Sequence, residues 1–277
     1  MKFWKYQGAG NDFIMLDQRE QQWLSRADTR QIKRLCDRRF GIGADGLILL
    51  QNRSGFDFEM VYFNADGRES TMCGNGGRCI AAFAKHLGIV AQHGRFWAID
   101  GEHQVQLSAL HGHDGLGDGF WVELQMIDVR EVKKQDDAYV LNTGSPHFVR
   151  FVESVEPLNV VVEGRAVRYA KPWEREGINV NFVAKKNQND SNNALQIRTY
   201  ERGVEDETFA CGTGVTAAAI AAYMEYGEHK AGTVELDVEA KGGQLAVRFQ
   251  ANGKGSFADI WLCGPAVQVF EGTIHIH

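Results

Sequence analysis

Cys73 and Cys211 sit in two copies of one short motif. The first reads Glu69-Ser70-Thr71-Met72-Cys73-Gly74-Asn75-Gly76, the second Glu207-Thr208-Phe209-Ala210-Cys211-Gly212-Thr213-Gly214. Each runs from an acid and a hydroxyl through two spacers to Cys-Gly-x-Gly and then into an alanine-rich apolar segment. A thiol serves as a base only when ionised, and a position just ahead of a helix, where the dipole is positive, lowers its pKa from roughly 8.5. The glycines permit close approach of a ligand to the backbone, and the N–H groups of the first turn can receive a carboxylate. Two such motifs facing one substrate would hold a carboxylate between two helix ends, with a sulfur on either side of its α-carbon. One thiolate takes the α-proton and the opposite thiol delivers another, while fixed N–H dipoles stabilise the developing charge. That is racemase or epimerase chemistry, and it needs no cofactor.

A lone Cys-Gly reads as core, because cysteine is among the most buried residue types. Duplication of the whole pattern tips the balance to chemistry. Cys36 and Cys79 fall inside helical patterns and Cys263 follows a strand, so all three read as core. No Cys-x-x-Cys and no clustered histidines accompany them, which argues against a metal site. His275 and His277 read as the solvated end of a strand.

The elements that must position the motifs follow from patterning. With 277 residues and the repeat near half-length, two halves of similar build are expected. Lys2–Tyr6 and Asp12–Leu16 read as strands flanking a Gly8-Ala9-Gly10-Asn11 turn. Phe56 to Asn64 alternates with the period of a half-buried strand. Asp100-Gly101, Gly242-Gly243 and Asn252-Gly253 each separate two strand-like runs, as hairpin turns do. Helices are expected over 28–40 with Asp28 as N-cap, over Gly76–Leu87 and over Gly214–Tyr226. The last two are apolar nearly all round, which predicts burial. The fold class is therefore α+β: two pseudo-symmetric domains, each a mostly antiparallel sheet wrapped around a central helix. The first half is expected over 1–116 and the second over 117–264, crossing near Asp114–Gly119. A strand over 265–277 could pack with the first half, although pattern alone does not place it. Lys185 to Asn193 reads as an exposed loop.

Apolar content of 44%, charged content of 24% and a net charge of −6 without a basic run describe a globular protein and argue against nucleic acid as a partner. The first residues lack the apolar core of a signal peptide, and the longest apolar stretch, Val215 to Met224, is too short to span a bilayer. The expectation is a soluble cytoplasmic protein with reduced cysteines and no membrane partner.

Met72-Cys73-Gly74-Asn75-Gly76-Gly77-Arg78-Cys79 and Ala210-Cys211-Gly212-Thr213-Gly214 closely resemble the two signatures of the diaminopimelate epimerase family. So do Gly8-Ala9-Gly10-Asn11-Asp12-Phe13, Gly41-Ile42-Gly43-Ala44-Asp45-Gly46, Asn64-Ala65-Asp66-Gly67 and Tyr200-Glu201-Arg202-Gly203, in the family's order from residue 6 to about 265. The resemblance implies interconversion of L,L- and meso-diaminopimelate without metal or pyridoxal phosphate, on the route to lysine and peptidoglycan, by a homodimer. It implies a catalytic set of Cys73, Cys211, His147 and Glu201, the last two tuning the thiols. It implies that Gly74, Asn75, Gly212 and Thr213 bind the reacting carboxylate through backbone N–H groups. Asn11, Asn64, Asn179 and Arg202 would take the distal end, where a guanidinium can grip a carboxylate bidentately.

Three departures bear on individual contacts. Ser145 stands where the family often has Asn, Gly46 replaces a glutamine of some members, and Gly203–Glu207 is one residue longer than in some. The alternative is a proline or hydroxyproline racemase of the same fold. Asn75, Gly77-Arg78 and Glu201-Arg202 favour the longer substrate with a second charged end.

Overall fold

The computed structural model describes residues 1–110, 119–186, 194–227 and 229–275, and the chain divides into two compact units. One comprises Met1–Leu124 and Gly264–His277, the other Gln125–Cys263. The first passage between them falls after Leu124 and the return after Cys263. Most of the expected crossing, Asp114 to Asp118, lies outside the described residues.

The first part of the chain forms β1 (Lys2–Gly8), β2 (Asn11–Asp17), α1 (Thr29–Cys36), β3 (Gly46–Gln51), β4 (Phe58–Asn64), α2 (Gly74–His86), β5 (His93–Ala98), β6 (Gly101–Ala109) and β7 (Gly119–Gln125). There follow β8 (Val132–Gln135), β9 (Ala138–Asn142), β10 (Pro146–Phe151), α3 (Val160–Arg168), β11 (Asn179–Lys185), β12 (Leu195–Glu201) and β13 (Asp206–Thr208). The remainder is α4 (Gly212–Tyr226), β14 (Gly232–Ala240), β15 (Gly243–Ala251) and β16 (Phe257–Thr273). The class is α+β, and the sheets are mostly antiparallel. Parallel joins occur at β2/β3, β4/β5, β10/β11 and β12/β14. The three hairpin turns fall where the glycine dipeptides put them: β5/β6, β14/β15 and β15/β16.

In the first unit, β1 to β7 run in sequence order and the late part of β16 pairs with both β7 and β1, closing the sheet on itself. Closure removes exposed strand edges. Helix α2 packs against β1, β2, β3, β4 and β6, with every residue from Gly74 to Ala84 buried. Helix α1 lies on the outer face, where Ile32, Leu35 and Cys36 join Ile14, Leu16, Leu47, Leu49, Val61 and Phe63 in a second core. The expectation of a half-buried strand over 56–64 is corrected here. Strand β4 starts at Phe58, and with α1 covering its outer face it buries Met60, Val61, Tyr62 and Phe63 in succession.

In the second unit the order is β16-β15-β14-β12-β11-β10-β9-β8, with β13 beside β12. Helix α4 packs against β9, β10, β11, β12, β14 and β15, and its residues Gly214 to Tyr223 are all buried. Helix α3 packs against β11, β12 and β13, where Val160 joins Phe148, Val180, Phe182 and Tyr200.

Helix boundaries depart from expectation in instructive ways. Both α2 and α4 begin two residues early, at Gly74 and Gly212, so that the cysteines themselves are the N-cap residues. Helix α1 is shorter than 28–40. Asp37 turns extended, and its carboxylate accepts from the N–H groups of Arg39 and Phe40, which draws the chain into a turn. Asp28 occupies the N-cap position, but its carboxylate accepts from Ser25 N–H and caps no helical N–H. Helix α3 was not expected, because Val160-Val161-Val162 disfavours helix. Asn159 compensates as an N-cap accepting from Val162 N–H at 3.2 Å. Strand β16 ends at Thr273, with His275 exposed beyond it. Residues 187–193 of the expected loop, Ile276 and His277 lie outside the described residues.

Candidate active site

Cys73 has extended backbone (φ −97°, ψ 130°), and the first intrahelical bond of α2 runs from Gly77 N–H to Cys73 O at 2.7 Å. The N–H groups of residues 74–76 therefore precede the helix's own hydrogen bonding, at its positive end. The turn between β1 and β2 brings in Asn11, whose Oδ1 lies 3.7 Å from Cys73 Sγ and 3.4 Å from Asn75 Nδ2. Asn11 cannot turn freely, because its Nδ2 donates to Asp45 Oδ2 at 2.6 Å. Asp45 is tied in turn to Asp12: each backbone N–H donates to the other's carboxylate.

Behind them lies a charge network. Arg38 grips the Asp12 carboxylate with two nitrogens, at 2.9 and 2.6 Å, and reaches Asp45 at 2.8 Å. The buried Lys5 ammonium lies 2.7 Å from Asp12. Burial alone would raise the Asp12 carboxyl, but hydrogen bonds and charge from Arg38 and Lys5 hold it well below the usual carboxylate range. Arg78, fully buried at the start of the second turn of α2, donates to Asn75 Oδ1 at 2.9 Å and to Gly74 O at 3.4 Å. Neighbouring thiols are not prepared for chemistry: burial pushes Cys36 up to about 12, and pushes Cys79 up further.

The second unit repeats the scheme with different partners. Cys211 is extended (φ −105°, ψ 109°) and the first intrahelical bond of α4 runs from Val215 N–H to Cys211 O at 2.9 Å. Thr213 Oγ1 stands 3.4 Å from Cys211 Sγ and 2.9 Å from His147 Nε2. Ser145 Oγ sits 3.0 Å from His147 Nε2 and 3.2 Å from Thr213 Oγ1. Thr143 Oγ1 donates to Thr213 O at 2.8 Å, fastening the helix start to the β9–β10 turn. His147 is completely buried on β10, and burial, with the positive charge of Arg202, pushes its pKa down to about 3.

The sequence-derived residues are thus distributed over two clusters. Asn11, Cys73, Gly74 and Asn75 meet in the first unit; His147, Asn179, Cys211, Gly212 and Thr213 meet in the second. Asn179, on β11, donates to Ser145 Oγ at 3.0 Å and to Pro146 O at 3.1 Å, and its Oδ1 accepts from Arg202 N–H at 2.9 Å. Arg202 itself donates to Glu176 O at 2.9 Å. Glu201 ends β12, half-buried, opposite Asp206 of β13. Asn64 ends β4, exposed, opposite Gly46 of β3. Gly46 has no room for a side chain, since a Cβ there would lie 2.6 Å from both Phe63 O and the Tyr62 ring.

Sequence reasoning passed over Asp45, Thr143, Asn181 and Thr199. A usable signal existed for one of them. Asn179 and Asn181 alternate on a strand, where asparagine is disfavoured, so a shared polar task on one face of β11 was legible. Among the described residues no group of three or more His, Cys, Asp or Glu side chains could hold a metal ion, and no helix is long and apolar enough to cross a membrane.

Comparisons with known proteins bear on this geometry. Residues 3–108 and 139–268 match the family described as Diaminopimelate epimerase. The diaminopimelate epimerase of Flavobacterium psychrophilum is 48% identical over 274 residues, covering 99% of this chain and all of that protein. That of Chlorobaculum tepidum is 41% identical, covering 96% of this chain and 98% of its own. Among solved structures, a phenazine biosynthesis protein of the PhzF family from Bacillus anthracis superposes with a TM-score of 0.75 at 14% identity, over all of this chain and 99% of its own. A hydroxyproline epimerase from Agrobacterium vitis, at 15% identity, gives 0.65 over 98% and 91%. At such identities the structures attest the fold alone.

Proposed function

Because the chain belongs to the diaminopimelate epimerase family, and is therefore an isomerase, we propose that it interconverts L,L- and meso-diaminopimelate by exchanging the α-proton between Cys73 and Cys211. The observation that carries this reading is the same at both cysteines. Each thiol is the N-cap of a buried helix, and the N–H groups that follow it precede the first helical hydrogen bond. Such an end suits both parts of the reaction. It favours a thiolate, and it stabilises the carboxylate whose charge grows as the α-carbon loses its proton. One thiolate removes the proton, the other thiol returns one from the opposite face, and the pair of protonation states is exchanged after each turnover.

The reacting carboxylate is assigned to the N–H groups of Gly74, Asn75, Gly212 and Thr213. The distal amino acid end is assigned to Asn11, Asn64, Asn179 and Arg202. Glu201 supplies an acceptor for an ammonium group, and neutral His147 acts on Cys211 through Thr213. This chemistry requires no metal or cofactor. A cytoplasmic homodimer serving lysine and peptidoglycan precursor synthesis completes the reading, on the strength of the family resemblance.

The test is solvent exchange in deuterium oxide. Diaminopimelate is expected to acquire label at the α-carbon, and Cys73→Ala and Cys211→Ala are each expected to abolish epimerisation. Full turnover in either variant would remove the two-thiol mechanism. Labelling of proline in place of diaminopimelate would select the racemase alternative.

A further inference from the structure

The buried surroundings of His147 settle where its proton sits. Asn181, on β11, has its amide orientation fixed independently of the histidine. Its Nδ2 donates to the Phe148 carbonyl at 3.0 Å, and a carbonyl can only accept. Its Oδ1 accepts from the Thr199 hydroxyl at 3.0 Å. The same Nδ2 lies 3.1 Å from His147 Nδ1, so Nδ1 must be the acceptor. A neutral imidazole that accepts at Nδ1 carries its hydrogen on Nε2.

The direction then propagates. His147 Nε2–H donates into the hydroxyl pair Ser145 and Thr213. Ser145 Oγ is already an acceptor for Asn179 Nδ2, whose own orientation is fixed by Pro146 O and Arg202 N–H. With Nε2 protonated, the acceptor left for the Ser145 hydroxyl among the described contacts is Thr213 Oγ1, at 3.2 Å. The Thr213 hydroxyl is thereby left to donate to Cys211 Sγ, at 3.4 Å.

We propose that Asn181, held by Thr199, is a positioning residue that locks His147 as its Nε2–H tautomer and so, through Ser145, aims the Thr213 hydroxyl as a donor at Cys211. The proposal rests on the reading of Cys211 as one of the two reacting thiols. A hydrogen-bond donor on sulfur favours the thiolate over the thiol, the state in which this cysteine can act as base. Burial keeps the ring neutral, as the depressed pKa of His147 indicates, and Arg202 is the charged group whose field adds to that effect. The lock also explains the last glycine of the second motif. A Cβ on Gly214 would lie 2.5 Å from Asn181 Oδ1 and 3.4 Å from His147 Cε1, so only glycine lets the first turn of α4 press against the amide.

The test reads the tautomer directly and without substrate. In protein labelled with ¹⁵N-histidine, His147 (assigned by its loss in His147→Gln) is expected to show an unprotonated Nδ1 and a protonated Nε2 across roughly pH 5 to 8. Asn181→Asp replaces the donor with an acceptor. It is expected to move the proton to Nδ1 and to lower kcat for diaminopimelate about tenfold or more, with KM changed less than about threefold. Thr199→Val, which adds no charge, is expected to leave a mixture of tautomers and an intermediate kcat, and it carries the test if Asn181→Asp fails to fold. A protonated Nδ1 in the unmodified protein would overturn the proposal. So would an unchanged tautomer in both variants, or full kcat with the tautomer reversed. Protein that shows the Nε2–H tautomer yet exchanges no diaminopimelate would instead count against the proposed function and leave the lock standing.

Discussion

At the scale of the residue, His147 shows how burial selects a chemical role. An imidazole in water ionises near neutrality, but this one is enclosed on β10 and its pKa falls from 6.5 to about 3. It can orient a hydroxyl as a neutral donor, and it is not a cation at physiological pH. The same shift has a consequence for stability. Between about pH 6.5 and about 3 the unfolded chain binds a proton at this site that the folded chain refuses, so acid favours unfolding across that window. Stability of the unmodified protein is expected to fall as pH drops from about 7 to about 4.5, and the fall is expected to be smaller in His147→Gln. Urea melts at the two pH values measure it. Parallel losses in both proteins would mean that His147 titrates as an exposed histidine does.

Elements act here by how closely they can approach. Helix α3 is built from residues with modest helix preference, and it holds its place by pressing Gly164 onto Tyr200 of β12. A Cβ at Gly164 would lie 2.3 Å from Tyr200 Cβ. In an exposed helix Gly→Ala gains about 1 kcal/mol. Here the overpacking, about 1–3 kcal/mol, opposes that gain. Gly164→Ala is expected to lower the melting temperature, and because β12 carries Glu201 at its end, to raise KM for diaminopimelate as well. A stabilised variant with unchanged kinetics would show that α3 can shift outward at no cost. The two buried helices follow the complementary rule. Surrounded by sheet, α2 and α4 need no polar face, so their alanine-rich sequences are consistent with the positions they occupy.

Across the whole molecule, chain order and unit membership part company in the last strand. Residues Gly264–Thr273 of β16 pair with β7 and β1, so the first unit is completed only by the end of the chain. Ala266 and Val267 are buried there. Ending the chain at Cys263 would leave β1 and β7 with unpaired edges, which invite association. Limited proteolysis of that truncated protein is expected to cut within residues 1–124 while 125–263 resists. Equal resistance of both parts would show that the first unit holds together without closure of its sheet.

The sequence by itself marked the candidate centre, because the chemistry proposed for it is local. Cys-Gly-x-Gly before an apolar helix carries the thiol, the close-approach glycines and the helix start within a few residues, and hairpin dipeptides such as Asp100-Gly101 and Gly242-Gly243 are equally local. It also carried the α+β class and the burial of α2 and α4. What only the tertiary structure decided depends on partners distant in the chain. Asp45 holding Asn11, and Asn181 holding His147 from a neighbouring strand, are hydrogen bonds across 34 positions each. The second face of β4 became core because Val61 and Phe63 joined a cluster built from α1, Leu24 and the neighbouring strands. Periodicity reports whether a side chain is apolar and which way it alternates; it carries no information on which distant polar group will meet it, and that choice is made when the strands pair.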